Sequence, residues 1–314
     1  MANLINGLHH VTAIASAPQA NVDFYAGILG LRLLKKTVNF DAPDVYHLYY
    51  GDETGSPGSI MTFFPFGHIQ RGRRGAGQMS YTAFSVPDGA LNFWMERLKK
   101  FNITFEPPAR RFNEEFIRFD DNDGLGIELV ATANDARPAW ISASIPPDVA
   151  IRGFYTATLQ ERTGDRTIDL LTNQMQHRLL AQEGDRYRFE AGAGGAGNYV
   201  DIIAAVQGGN GLQGAGTIHH LAFSTDTSET QLAIRDILLE KGLEVTPVID
   251  RQYFHSIYYR EPGGILFEIA TNPPGFAVDE DKNSLGTSLK LPPQYEAKRA
   301  LIEQHLEPIA VRAM

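Results

Sequence analysis

At 314 residues and 43% apolar composition the chain is long enough to bury two ordinary cores. A net charge of −9 with a single short basic cluster excludes a nucleic-acid-binding stripe, and the absence of cysteine excludes disulfides, thiolate metal sites and cysteine nucleophiles. Strong metal ligands are then His, Asp and Glu; with no signal-peptide pattern and no apolar run of bilayer length, a cytoplasmic protein without nucleic-acid or membrane partners is expected.

The first element is the strand "LHHVTAIA" (8–15), which places two adjacent histidines in an apolar run. A helix "PQANVDFYAGILG" and a closing strand "SIMTFFP" (59–65) complete a first unit, and "RGRRG" (71–75) reads as a solvated loop. A second unit opens on "GQMSYTAFSV" (77–86), continues with "PDGALNFWMERLKKFN", a helix with Asp88 as N-cap, and closes on "RFDDNDGLGIELVAT" (118–132). The Pro- and Asp-rich "NDARPAWISASIPPDVA" (134–150) reads as the linker between halves.

A third unit comprises "RGFYTATLQ" (152–160), "DRTIDLLTNQM" and "NYVDIIAAV" (198–206). The "GAGGAG" at 192–197 spells a dinucleotide fingerprint but runs into a strand, so the phosphate-cradling helix start is missing. The fourth unit opens on "GTIHHLAFST" (216–225), continues with a helix carrying a Ser228-to-Gln231 capping box and Gly242 as terminator, and closes on "YYREPGGILFEIATN" (258–272). Last, "PPQYEAKRALIEQHLEP" reads as a surface helix packing through Leu301, Ile302 and Leu306, which closes over the barrel or joins a homo-oligomer.

These units are copies. "TAFS" matches "LAFS", with Ser80-Tyr81 standing where His219-His220 stand. The interval from opening pair to closing strand is 47 residues from Tyr81 to Glu128, 46 from Tyr155 to Asp201, 48 from His220 to Glu268 and 52 from His10 to Thr62. The expected architecture is α+β: four βαβββ modules paired into two open half-barrel, mixed or antiparallel sheets with helices outside. The expected boundaries are 1–133 for modules one and two, 134–150 for the linker, 151–272 for modules three and four, and 273–314 for a tail with a surface helix.

In such a cup the opening and closing strands of paired modules offer four inward positions. Pairing modules one and four brings together His10, His220 and Glu268, with Thr62 in the fourth corner; modules two and three offer Tyr81, Glu128, Tyr155 and Asp201. The first cup is therefore expected to hold metal, and Glu128 and Asp201 to pair with Arg or Lys. Two neutral imidazoles and a carboxylate suit Fe(II), with Mn(II) as the alternative, and Thr62 leaves a face open for substrate and O2. Adjacent strand residues face opposite ways, so both members of an HH pair cannot ligate one ion; periodicity does not choose between them, although small Thr12 and Ala222 favour His10 and His220. No role is assigned to His47, His68, His177, His255 or His305, although His255 lies close enough to the pocket segment to line it.

The stretches "HHVTAIASAPQANVDFYAGILGLRLLKKTVNF", "YHLYYGDETGSPGSIMTFFP", "IHHLAFS", "YFHSIYYREPGGILFEIAT" and "DEDKNSLG" resemble the glyoxalase/bleomycin-resistance/extradiol-dioxygenase (vicinal oxygen chelate) superfamily, and within it the ring-cleaving hydroquinone dioxygenases. The resemblance implies the glyoxalase fold, Fe(II) on His10, His220 and Glu268, and a pocket shell of His9, Thr12, His219, Arg251 and Tyr258. It implies that a small hydroquinone-like ring is opened beside a hydroxylated carbon with O2 as co-substrate. Two rivals remain: a glyoxalase-type isomerase or lyase, and a non-catalytic binder that sequesters an aromatic or quinone.

Overall fold

The computed structural model describes residues 3–312 and 314. Each of the four modules runs strand, helix, three strands. Module one is β1 (Gly7–Ala15), α1 (Pro18–Val22) continuing as a π-helical stretch Asp23–Ile28, β2 (Arg32–Val38), β3 (Tyr46–Gly51) and β4 (Ile60–Pro65). Module two is β5 (Gln78–Pro87), α2 (Leu91–Lys100), β6 (Ala109–Arg111), β7 (Glu114–Asp120) and β8 (Gly126–Thr132). Module three is β9 (Gly153–Gln160), α3 (Asp165–Asp169) with its π-helical continuation Leu170–Gln174, β10 (Arg178–Glu183), β11 (Arg186–Glu190) and β12 (Tyr199–Ile203). Module four is β13 (Thr217–Thr225), α4 (Ser228–Glu240), β14 (Ile249–Asp250), β15 (Phe254–Arg260) and β16 (Leu266–Pro274).

Two eight-stranded sheets result, with orders β14-β15-β16-β13-β1-β4-β3-β2 and β10-β11-β12-β9-β5-β8-β7-β6. Modules one and four thus share one sheet and modules two and three the other, so each half of the chain contributes to both. The opening strands are buried along their whole length: every residue of β1 is buried, one face under helices and the other in the cup. One apolar core, containing Val11, Phe24, Phe84, Trp94, Phe154 and Phe223 among others, runs between the sheets.

Local signals held in part. Gly242 ends α4 at φ +84° as a left-handed terminator. The capping box sits one residue earlier than expected: Thr227 is extended and exchanges hydrogen bonds with Thr230, because the hydroxyl before Ser228 lies where the chain bends. Asp88 does not cap α2, since a tight turn closed by the Ala90 amide on the Pro87 carbonyl consumes residues 87–90 and the helix starts at Leu91. "RGRRG" is more than a free loop: its backbone bridges Arg71 to Ala215 and Arg73 to Leu212, tying the two halves together. In the C-terminal helix α5 (Arg299–His305), Ile302 is buried and Leu306 just beyond it is too, but Leu301 is exposed. This segment lies against the first sheet, where the Glu307 carbonyl accepts from the Tyr46 hydroxyl and Tyr295 donates to the Phe40 carbonyl. No helix among the described residues is long and apolar enough to cross a membrane.

Candidate metal centre and pocket

Strand register builds the site. Across the first sheet, Tyr258, Glu268, Ala222 and His10 stand opposite one another in one row on β15, β16, β13 and β1. The adjacent row is His220, Thr12, Thr62 and Tyr49 on β13, β1, β4 and β3. Residues directly opposed in a sheet share a face, so both rows look into the cup. The methyl group of Ala222 leaves the space between Glu268 and His10 open.

Into that space converge three side-chain atoms. His10 Nε2 lies 3.2 Å from His220 Nε2, and Glu268 Oε2 lies 3.2 Å from the first and 3.0 Å from the second. Among the described residues this is the one cluster of three such ligands, and all three are buried. Glu268 Oε1 accepts the Ser256 hydroxyl, whereas Oε2 is buried with no hydrogen-bond partner among the described residues. A buried carboxylate oxygen without a donor, facing two imidazole nitrogens, is the arrangement a cation satisfies. Two nitrogens and one oxygen fit a first-row transition ion, so the residues present match the group the sequence implied.

The first histidine of each pair stands against the second, Nδ1 to Nδ1. His9 Nδ1 is 2.9 Å from His10 Nδ1, and His219 Nδ1 is 2.8 Å from His220 Nδ1. If Nε2 of the second ring binds an ion, its Nδ1 must carry the proton and donate to the first ring, which fixes tautomer and orientation. His9 is in turn held by the Thr271 backbone, and burial together with His10 pushes it down to about 3. His219 is likewise pushed down to about 3 by burial and His220, so both rings are neutral acceptors in the physiological range. Burial disfavours the Glu268 anion, yet His10 and His220 hold the carboxyl well below its ordinary value.

Beside the cluster opens a cavity of about 490 Å³, lined by His10, His219, His220, Arg251, Tyr258, His47, Tyr49, Asn39, Asp41 and the apolar side chains of Phe64, Phe66, Phe254, Ile249 and Leu266. Arg251 Nε donates to the Tyr258 hydroxyl at 3.2 Å. Burial works against the Arg251 cation, but Tyr258, Asp41 and Glu268 keep it charged. Burial and Glu268 raise the Tyr258 phenol, which stays protonated. Of the expected site residues, His10, His220, His219, Arg251 and Tyr258 line the cavity wall; His9 and Thr12 sit behind it, Thr12 hydrogen-bonded to Thr62 at 2.8 Å. His255 is not part of the wall, because Phe254, Ser256 and Tyr258 take the inward places on β15. His47 and Tyr49, which sequence reading passed over, do belong to it; the signal was their alternation on a strand partnering β4.

The second cup carries no histidine. Glu128 is held by Arg111 at 2.5 Å and Arg118 at 2.7 Å, and Asp201 by Arg188 at 2.7 Å and Arg186 at 2.8 Å. The expected pairing with cations is what occupies this cup.

The family model "Glyoxalase/Bleomycin resistance protein/Dioxygenase superfamily" matches residues 7–129 and 152–269. The chain is 48% identical over 314 residues to the Bacillus subtilis (strain 168) protein named "Putative ring-cleaving dioxygenase MhqO", covering all of both chains. It is 35% identical over 318 residues to the chlorohydroquinone/hydroquinone 1,2-dioxygenase of Sphingobium indicum, covering 98% of each. A crystal structure from Bacillus subtilis subsp. subtilis str. 168, 47% identical, superposes with a TM-score of 0.95 over the full length of both chains.

Proposed function

The chain belongs to the glyoxalase/bleomycin resistance protein/dioxygenase superfamily, and on that premise we propose that it is an Fe(II)-dependent dioxygenase opening hydroquinone-type rings beside a hydroxylated carbon. The observation that carries the reading is the convergence of His10, His220 and Glu268 at 3.0–3.2 Å around an unpartnered carboxylate oxygen, beside a cavity walled by aromatics. His10, His220 and Glu268 would hold the ion, which supplies a redox centre through which ring electrons reach O2. Both oxygen atoms enter the product, so no external reductant is consumed.

The remaining groups have separable tasks. A hydroquinone has its hydroxyls across the ring and presents one oxygen to the site at a time. The flat walls of Phe64, Phe254 and Tyr49 bind the ring face and exclude water. Arg251 faces negative charge as it develops on the substrate, and its Nε–H on the Tyr258 oxygen leaves the phenol proton for the substrate. His219 has Nδ1 taken by His220, so its Nε2 is the atom that exchanges a proton with the phenol. His9 has partners on both sides, His10 and the Thr271 backbone, and acts as the support of His10.

An isomerase with a closed, four-ligand centre is disfavoured, because the Thr62 hydroxyl is committed to Thr12 and to His47 at 3.0 Å. The test is anaerobic reconstitution with ferrous iron, addition of hydroquinone, and admission of air. O2 uptake with loss of the ring absorbance is expected. Saturable binding without uptake, or turnover of a methylglyoxal–glutathione adduct without O2, overturns the proposal. Parallel loading with Mn(II) decides which ion supports turnover.

A further inference from the structure

The stretch "DEDKNSLG" opens on Asp279, a residue off the cavity wall that is nonetheless connected to it. Its Oδ2 accepts from the Gln252 side-chain amide at 2.7 Å and from the Tyr253 hydroxyl at 3.0 Å, and its Oδ1 accepts from Lys35 Nζ at 2.7 Å. A carboxylate accepts and the other three groups donate, so the direction of all three hydrogen bonds is fixed. Lys35 has no exposed surface and directs its two other N–H groups to Glu280 at 2.8 Å and to the Phe276 carbonyl at 3.1 Å. Asp279 is thus anchored to β2 on one side and grips the turn between β14 and β15 on the other. That turn carries Arg251, a member of the cavity wall. The Arg251 amide donates to the Phe254 carbonyl at 2.9 Å, the Arg251 carbonyl accepts from the Tyr253 amide at 2.8 Å, and Gln252 between them has φ +68°. A left-handed residue that bears a side chain persists where its surroundings hold it, and here the grip is on that residue and the next. The guanidinium itself has few restraints: Nε donates to Tyr258 at 3.2 Å and Nη1 lies 3.8 Å from the exposed Asp41 carboxylate. Its place in the wall therefore depends on where the turn sets the Arg251 backbone.

We propose that Asp279 is a positioning residue: it fixes the Gln252–Tyr253 turn and so sets where the Arg251 guanidinium stands in the cavity wall. This deepens the dioxygenase reading and rests on it, since the group positioned is the cation that faces the substrate. The neighbouring Glu280 supplies an internal comparison. It shares Lys35 with Asp279, but its other partners are the Gly286 amide and the Ser288 hydroxyl, each at 3.1 Å, and among the described residues it makes no bond to the turn. Both carboxylates hold the C-terminal segment to β2, whereas Asp279 also reaches the turn that bears Arg251.

The test is a double-mutant cycle read on the Co(II)-substituted protein, whose visible spectrum reports hydroquinone binding under nitrogen, alongside kcat of the Fe(II) form and the Tm of each variant. Arg251→Leu should weaken hydroquinone binding about 10–100-fold, the worth of a charged hydrogen bond to a substrate oxygen. Asp279→Ala, which leaves the guanidinium present but misplaced, should weaken it about tenfold. The double variant should bind no more weakly than Arg251→Leu alone, since Asp279 acts through that side chain. Glu280→Gln should lower Tm without moving affinity or kcat, which separates positioning from general support of the tail. If Asp279→Ala does not fold, Tyr253→Phe takes its place: it removes one donor of the turn, leaves the Lys35 pair intact, and should show the same coupling to Arg251 in smaller measure. Wild-type affinity in Arg251→Leu, in Asp279→Ala or in its replacement Tyr253→Phe overturns the inference. So do losses that add in the double variant, or an equal loss of affinity in Glu280→Gln. Wild-type protein that binds hydroquinone yet consumes no O2 overturns the dioxygenase reading and leaves the cycle to judge Asp279 by binding alone.

Discussion

Replacing Glu268 with Gln tests the centre of the argument with almost no change of shape. The side chain is fully buried, Ser256 donates to Oε1, and Oε2 lies 3.0–3.2 Å from the two imidazoles. The amide keeps a neighbour for Ser256 but loses the charge that an ion needs, and its NH2 group has no lone pair to offer. An ion that binds only the folded chain stabilises it by about 2.7 kcal/mol at a hundredfold excess over Kd, roughly 5 °C in Tm for a chain of this size. The assay is an anaerobic thermal melt with and without Fe(II) or Co(II), paired with metal content by atomic emission. Wild type should gain about 5 °C on loading while Glu268→Gln gains no more than about 1 °C, with the metal-free melting points of the two staying close. O2 consumption should disappear with the metal. A variant that retains ion and shows the full wild-type shift refutes Glu268 as a ligand.

Glu128→Gln, at the matching place in the other sheet, should leave metal content and turnover unchanged. It should nevertheless cost about 3–5 kcal/mol in chemical denaturation, because Arg111 and Arg118 lose their buried anion; metal loss on this substitution would contradict the division of labour between the cups. Replacing His9 with Leu removes the acceptor behind His10 and should weaken Fe(II) affinity about 10–100-fold in a chelator competition, with unchanged affinity counting against the support role. Glu161 shares the Thr167 hydroxyl with Glu261, and burial together with Glu261 raises its carboxyl to about 8 from 4.5. Its stabilising contribution is therefore complete below pH 4.5 and is lost as pH rises through about 8, so Glu161→Gln should flatten the fall of Tm across that window. A variant whose profile parallels wild type would place the proton elsewhere.

The cluster of His10, His220 and Glu268 was legible because its members stand at fixed places in a repeated unit. His220 and Glu268 could be aligned with Tyr81 and Glu128, and pairing modules so as to concentrate ligands put His10 beside them. The same alignment anticipated that Glu128 and Asp201 would meet arginines. For His47 the sequence offered only its alternation with Tyr49, since its place on the cavity wall depends on the register of β3 against β4 and on hydroxyls contributed by β1 and β4. Neither hydroxyl is near it in sequence. The helix starts failed for a more local reason. Asp88 and Ser228 both have the right chemistry for a cap, but which neighbouring residue adopts the extended conformation is decided by the turn leaving the preceding strand.

Sharing a sheet between the first and last modules has a consequence for biosynthesis. β1 leaves the ribosome early, yet one of its two partner strands, β13, and the carboxylate on β16 arrive only after more than two hundred further residues. At ordinary elongation rates this delay is roughly 10–50 s, during which β1 exposes an unpaired edge that invites wrong partners. The nascent half-chain lacks His220 and Glu268, so a cation that needs all three side chains can be seated only after the last module is made. Removing the last quarter of the protein would therefore leave a partly open sheet and an empty-handed pair of histidines, however well the first half had folded.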